Sequence, residues 1–358
     1  MATSIFLDLA RHGVRFPFAT DLVLNQEPDP EAARSDGGRL ARVVERHARR
    51  WDCPLAFPLM DLRLEKADLL STLGIDEEAA DRFHFPGPID EADRERLAHG
   101  EVKLCPASEA RDHALEDIAA RTDLLPIGMT IGPFSLATKL IADPITAAAL
   151  MGSGVSAAED PQVRLLEDCL EAAESVVAAS VRRQLGRGAR AMLVCEPTAS
   201  TAYLSPRQLK AGATTFERLV MEPNTRIARL LRESGADLIF HDCGELTADM
   251  IRAFATRLAP AVLSLGSSRK LWEDAALVPE TVVLYGNLPT KSFYSDAVMP
   301  VEEVRRRSEE LAAAMRGRGH PHILGSECDV LHVPDAAGTI WAKVEAMMSA
   351  GPAGVASR

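Results

Sequence analysis

Apolar and polar positions along this chain alternate between two patterns. Short apolar runs rich in Val, Ile, Leu and Met are separated by longer stretches whose apolar residues recur three and four apart. The short runs read as strands buried on both faces and the longer stretches as amphipathic helices, an alternation typical of a parallel α/β protein. The runs fall at 55–61, 101–105, 125–131, 190–196, 237–243, 261–266, 281–286 and 322–326. Eight of them in one chain predict a (β/α)8 TIM-like barrel. Ahead of the first run lie a Pro/Asp/Gly-rich loop at 26–38 and a helix over 38–51 that is basic on its exposed face. The chain therefore divides into an N-terminal extension, 1–54, and a barrel, 55–358. A doubly wound nucleotide-binding fold requires a glycine-rich turn directly after an early strand. The nearest candidate, Met151-Gly152-Ser153-Gly154, has no preceding strand, no third glycine and no Lys-Ser/Thr.

The polar residues that close these runs carry the chemistry. Asp61 closes the first, Glu196 the fourth, His241 and Cys243 the fifth, and Cys328 follows the last. In a barrel all these ends share the C-terminal rim, where active sites are built. His241 and Cys243 are two apart, so both side chains point the same way from an extended backbone. An imidazole beside a thiolate suits zinc, and Cys328 supplies a third ligand from another strand end. Three protein ligands leave a position open, which is the catalytic arrangement. On spacing alone, the same residues also read as a packed core histidine and two ordinary buried cysteines. Asp61 and Glu196 also read as helix caps, and Ser205-Pro206 as an N-cap followed by Pro at N1.

Composition narrows the classes. The 358 residues carry 40 Lys+Arg against 52 Asp+Glu, a formal net charge of -12, and 5% aromatics. An acidic chain poor in aromatic rings is a poor nucleic-acid binder, since that affinity rests on clustered cations and stacking platforms. The apolar start is broken by Asp8, Arg11 and Arg15, unlike a signal peptide, and the stretch 142–158 is interrupted by Asp143, Pro144 and two glycines. No membrane span is expected. Six scattered cysteines without a CxxC pair fit reduced thiols in the cytoplasm.

Taken in order, several segments resemble the uroporphyrinogen decarboxylase superfamily, and within it the zinc-dependent methylcobamide:coenzyme M methyltransferase branch. They are Pro58-Leu59-Met60-Asp61-Leu62, Gly132-Pro133-Phe134-Ser135-Leu136-Ala137, Glu196-Pro197-Thr198-Ala199-Ser200, His241-Asp242-Cys243-Gly244, Gly286-Asn287-Leu288 and the Cys328 segment. The decarboxylases of this superfamily carry an arginine-rich N-terminal signature for porphyrin carboxylates. Here Arg11-His12-Gly13-Val14-Arg15-Phe16-Pro17 has two arginines but not the rest. They also carry a histidine where the methyltransferases, and this chain, have a cysteine. The resemblance thus implies His241, Cys243 and Cys328 as zinc ligands. Two features depart from the family pattern: Glu327 and Asp329 flank Cys328, and Pro289-Thr290 replaces Asp-Pro.

The resemblance implies a mechanism in which zinc-bound thiol loses its proton and the thiolate attacks a methyl group held on a corrinoid. The chain has no Asp-x-His-x-x-Gly cobalamin motif, so the corrinoid is expected on a partner protein. Glu196 is then a candidate fourth ligand that yields to substrate, Asp61 orients substrate, and Tyr203 and Asn287 line the pocket. Two other readings compete: a metal-free lyase that depends on Asp61, and a barrel that binds zinc or a thiol without turnover.

Overall fold

The computed structural model describes residues 5–76, 79–99 and 101–349. Its sheet has seven strands: β1 (Leu55–Ala56), β2 (Leu125–Ile131), β3 (Ala191–Cys195), β4 (Asp237–Asp242), β5 (Val262–Leu265), β6 (Val283–Tyr285) and β7 (His322–Ile323). They pair in sequence order, each parallel to the next. Helices join the strands, which lets parallel neighbours follow one another in sequence.

Side-chain alternation divides each strand between two cores. One face of every strand contributes to a single interior cluster: Leu55, Ile127, Leu193, Ile239, Val262, Val283 and Ile323. Convergence of seven strands on one cluster curls the sheet into a barrel with a filled centre. The opposite face, including Met192, Val194, Phe240, Leu263 and Leu284, packs outward among the helices. The longest of these, Pro161–Gly186, starts where Asp160 accepts from the N–H groups of Gln162 and Val163, with Pro161 at its first position. Ser205 caps Pro206–Lys210 as the sequence indicates, and the basic helix runs over Gly37–Arg50. No helix among the described residues is long and apolar enough to cross a membrane.

The expected strand at 101–105 does not form. That segment exposes Glu101 and Lys103 and leads into the helix Pro106–Arg121. A barrel strand buries both faces, which this charged run cannot do. The position beside β7 is taken instead by residues from the N-terminal segment. Arg15 bridges Leu324 in parallel, Phe16 N–H donates to the Leu324 carbonyl at 3.3 Å, and Phe18 N–H donates to Ser326 Oγ at 2.9 Å. Toward β1, Thr20 Oγ1 donates to the Phe57 carbonyl at 2.8 Å. Phe16 and Phe18 stack on Tyr285 at 4.9 and 4.4 Å between ring centres and pack against Phe57. Tyr285 Oη, fully buried, donates to the Phe16 carbonyl at 3.0 Å.

Gly325 makes this packing possible, because a Cβ there would sit 2.3 Å from the Tyr285 ring. The ring is held by its hydroxyl and by two stacked phenylalanines and cannot swing away. Gly325→Ala is therefore expected to destabilise the protein by about 1–3 kcal/mol, as overpacking does. The denaturant midpoint measures it, and an unchanged midpoint would show that the ring moves freely.

Candidate metal centre at the strand ends

His241 is the last interior-facing residue of β4, above Ile239, and is 1% exposed. It pairs across the sheet with Ser264 of β5, and its Nδ1 lies 2.8 Å from Ser264 Oγ. The edge of the Phe18 ring meets the imidazole with centroids 5.8 Å apart. Its Nε2 is buried and has no hydrogen-bond partner. A buried ring nitrogen without a partner is costly unless something binds it.

Two sulfurs complete the group. Cys243 leaves the end of β4, Cys328 comes from the loop after β7, and their Sγ atoms are 3.8 Å apart. One ligand atom each from His241, Cys243 and Cys328 lies within 4.8 Å of the other two. With Nδ1–H donated to Ser264, the Nε2 lone pair is left for a cation, and a hydroxyl in that role fixes the ring's tautomer. One imidazole nitrogen and two sulfurs form a donor set that suits zinc.

The electrostatics favour a thiolate here. The hydrogen bond from Cys328 brings the Cys243 thiol well down, helped by His241 and Lys291 and opposed by burial. Cys328, beside that charge and buried, is pushed up. The Lys291 ammonium lies 3.9 Å from Cys243 Sγ. Burial disfavours its charge, but Cys243, Cys328 and Glu327 outweigh burial and raise its pKa. Glu327 accepts from the N–H groups of Ser267 and Lys291, tying the loops after β5, β6 and β7 together.

The other candidate residues lie around this group in different roles. Glu196 is completely buried, and its carboxylate accepts from the N–H groups of Phe134 and Ser135, at the start of the helix Pro133–Lys139, and from Asn224 Nδ2. Gly132 leaves room for it, since a Cβ there would lie 2.1 Å from Oε2. Burial raises the Glu196 pKa, and these donors oppose the rise. Its oxygens are not among the atoms of the His241–Cys243–Cys328 group. Tyr203 packs edge-on against Phe134, with centroids 6.4 Å apart. Asn287 Nδ2 donates to the carbonyls of Gly266 and Arg269 at 2.7 and 2.9 Å. Gly266 in turn packs against the Cys243 backbone, where a Cβ would fall 2.6 Å from the Cys243 carbonyl oxygen. Asn287 thus braces the loop on which Cys243 rests.

Asp61, 9% exposed, is gripped by Arg63 Nε and Nη2 at 2.9 and 2.7 Å and by Arg34 Nη1 at 3.4 Å. Burial pushes this carboxyl up, but the hydrogen bonds and charges of Arg63 and Arg34 win and hold it below the usual range.

Sequence reasoning missed Ser264, Lys291 and Asp242. Ser264 had a signal, as the lone hydroxyl in Val262-Leu263-Ser264-Leu265 on the face that alternation turns inward. Lys291 follows the Pro289-Thr290 pair already seen to break the family pattern. Asp242 is fully buried, its Oδ1 accepts from Gly244 N–H at 2.8 Å, and burial raises its pKa well above the usual value.

The nitrogen-and-sulfur group thus lies on the C-terminal rim of a parallel barrel, the end where barrel enzymes build their active sites, and could hold a metal ion. The sequence matches the model of the uroporphyrinogen decarboxylase (URO-D) family over residues 40–350, and the chain belongs to that family. Among solved structures it is similar to a methyltransferase from Methanosarcina mazei, with a TM-score of 0.63 and 16% sequence identity. That match covers 94% of this chain and 92% of the other, and at such low identity it bears on the fold alone. No curated protein matches in sequence.

Two expectations follow from this geometry. Gln at position 196 would turn a donor toward other donors, so Glu196→Gln should cost about 1–3 kcal/mol of stability by urea denaturation. An unchanged midpoint would show that the cap is dispensable. In metal-stripped protein, Cys243 should react first with iodoacetamide, because the buried thiols of Cys53 and Cys105 are pushed up to about 12 and about 11. A thiol with a lowered pKa is already ionised, so its alkylation rate should stay nearly flat from about pH 8 to about pH 5. A tenfold fall per pH unit, followed by mass spectrometry, would show an ordinary thiol.

Proposed function

We propose that this chain is a zinc-dependent methyltransferase that moves a methyl group between a corrinoid on a partner protein and a small-molecule thiol. The observation that carries the reading is the partnerless, buried Nε2 of His241 facing the sulfurs of Cys243 and Cys328. These three residues would hold zinc, whose Lewis acidity lets a bound thiol lose its proton near neutral pH. The protein's own groups prepare that site. Ser264 holds the imidazole in one orientation, and Lys291 balances negative charge beside Cys243. Asn287 and Glu327 fix the surrounding loops, so the ligands are set before substrate arrives. The URO-D family assignment fits an enzyme, and the fold is shared with a methyltransferase.

The metal-free lyase has less support. It relies on Asp61 to stabilise a cationic intermediate, yet that carboxylate already faces the guanidiniums of Arg34 and Arg63.

Elemental analysis of protein purified without chelator is expected to find about one zinc per chain, as a three-ligand catalytic site holds. Cys328→Ala should lose it and Glu196→Gln should keep it. The wild-type protein should then demethylate free methylcobalamin in the presence of 2-mercaptoethanol, followed by the cobalamin absorbance, and Cys328→Ala should not. A zinc-free wild-type protein would overturn the reading. Bound zinc without turnover would favour a storage or sensing barrel.

A further inference from the structure

The barrel has a second concavity, at the end away from the thiols. It lies where β6 and β7 begin, beside the end of the helix Val301–Arg318, and encloses about 560 Å³. Small-molecule sites commonly measure about 300–1,000 Å³. The Arg11–Pro17 motif, which stood nearest to a carboxylate-binding signature in the sequence, delivers Arg15 here.

Charge in this cavity is arranged unusually for an acidic chain. Arg15 is half-buried, and Nη1 donates to the Met348 carbonyl at 3.3 Å. Arg316 lines the same space, and burial together with the Arg316 charge lowers the Arg15 pKa. Among the described residues neither guanidinium has a carboxylate within 4.0 Å. Arg11, by contrast, is held by Asp8 at 3.1 Å. Glu280 is the one carboxylate among the lining residues. His320 and His322 turn Nε2 toward the carbonyls of Val282 and Gly286 at 3.1 and 2.8 Å, and burial lowers both pKa values. Three arginines line the cavity, and with Arg11 balanced by Asp8 its unpaired positive charge comes from Arg15 and Arg316. Leu7, Ala10, Val14 and Ala312, all partly exposed, give it an apolar wall.

Two like charges facing one concavity, in a protein with acidic side chains in excess, leave an anion's place open. Guanidinium groups grip carboxylate and phosphate through paired N–H donors, and an apolar wall adds affinity for hydrocarbon. We propose that this cavity binds a small amphiphilic acid, its carboxylate or phosphate head between Arg15 and Arg316 and its apolar body on Leu7, Ala10, Val14 and Ala312. The site is independent of the metal centre and of the activity proposed for it.

Calorimetric titration of the full chain at low ionic strength tests this with octanoate, octyl phosphate and 1-octanol. At least one acid should bind at about one site per chain, as a single cavity dictates. Comparison of the two acids identifies the preferred head group, and 1-octanol should bind far more weakly than the better acid. Arg316 is exposed at a helix end, so its replacement leaves the core untouched. Arg316→Ala should weaken binding about tenfold or more, Arg316→Glu further, and Arg316→Lys should retain most of it. Absence of binding by both acids would overturn the site. So would affinity unchanged in Arg316→Glu, or 1-octanol binding as tightly as the acids.

Discussion

The structure depends on how the seam between β7 and β1 is closed. Seven parallel strands in a row leave two edges with unpaired backbone groups, and an open edge exposes both the ladder and the interior side chains. The N-terminal segment settles this with few bonds. Phe16 and Phe18 follow the line of β7, Thr20 reaches β1, and the Tyr285 hydroxyl fastens Phe16 from inside. Phe18 then becomes part of the interior wall against His241. The Val330 N–H also donates to the Phe18 carbonyl, so the loop carrying Cys328 is tied to the same segment. Seam closure and ligand placement are one arrangement.

Carboxylates at strand ends illustrate how position and chemistry separate. Asp61 and Glu196 both sit at strand ends on the rim, and each is held by a different set of neighbours. Glu196 completes the N-terminus of a helix whose first N–H groups would otherwise be buried without acceptors. Asp61 balances two guanidiniums. Cys243, in contrast, sits among groups that favour its ionised form. On the rim, these carboxylates are engaged by backbone amides and guanidiniums, while the nitrogen and sulfur donors face each other.

Much of the fold was legible in the sequence because burial on both faces leaves a clear mark. The runs at 125–131, 190–196, 237–243 and 261–266 are continuous apolar segments that parallel strands require, and each contains a strand. The run at 101–105 misled because Val102 and Leu104 alternate with charges, a pattern suited to one-sided burial and not to a barrel strand. The closing segment escaped notice since Phe16-Pro17-Phe18 is too short and too proline-interrupted to read as a strand. At the site, His241 and Cys243 were legible from their spacing and Cys328 from its place after the last strand. The duties of Glu196, Asn287 and Lys291 were not, because their partners at positions 135, 266 and 243 lie on other strand-end loops that local pattern cannot bring together.

The tie between Phe18 and Ser326 spans 308 residues of sequence. Contacts of such separation form late, after the loop between them has closed. During synthesis the ribosome releases Phe18, then His241 and Cys243, and only later Cys328. The half-site on β4 is therefore exposed to the cell before its third donor exists, and the three-donor group arises only once Cys328 has emerged. Translation products that stop short of Cys328 therefore lack the full donor set, however well their early strands have folded.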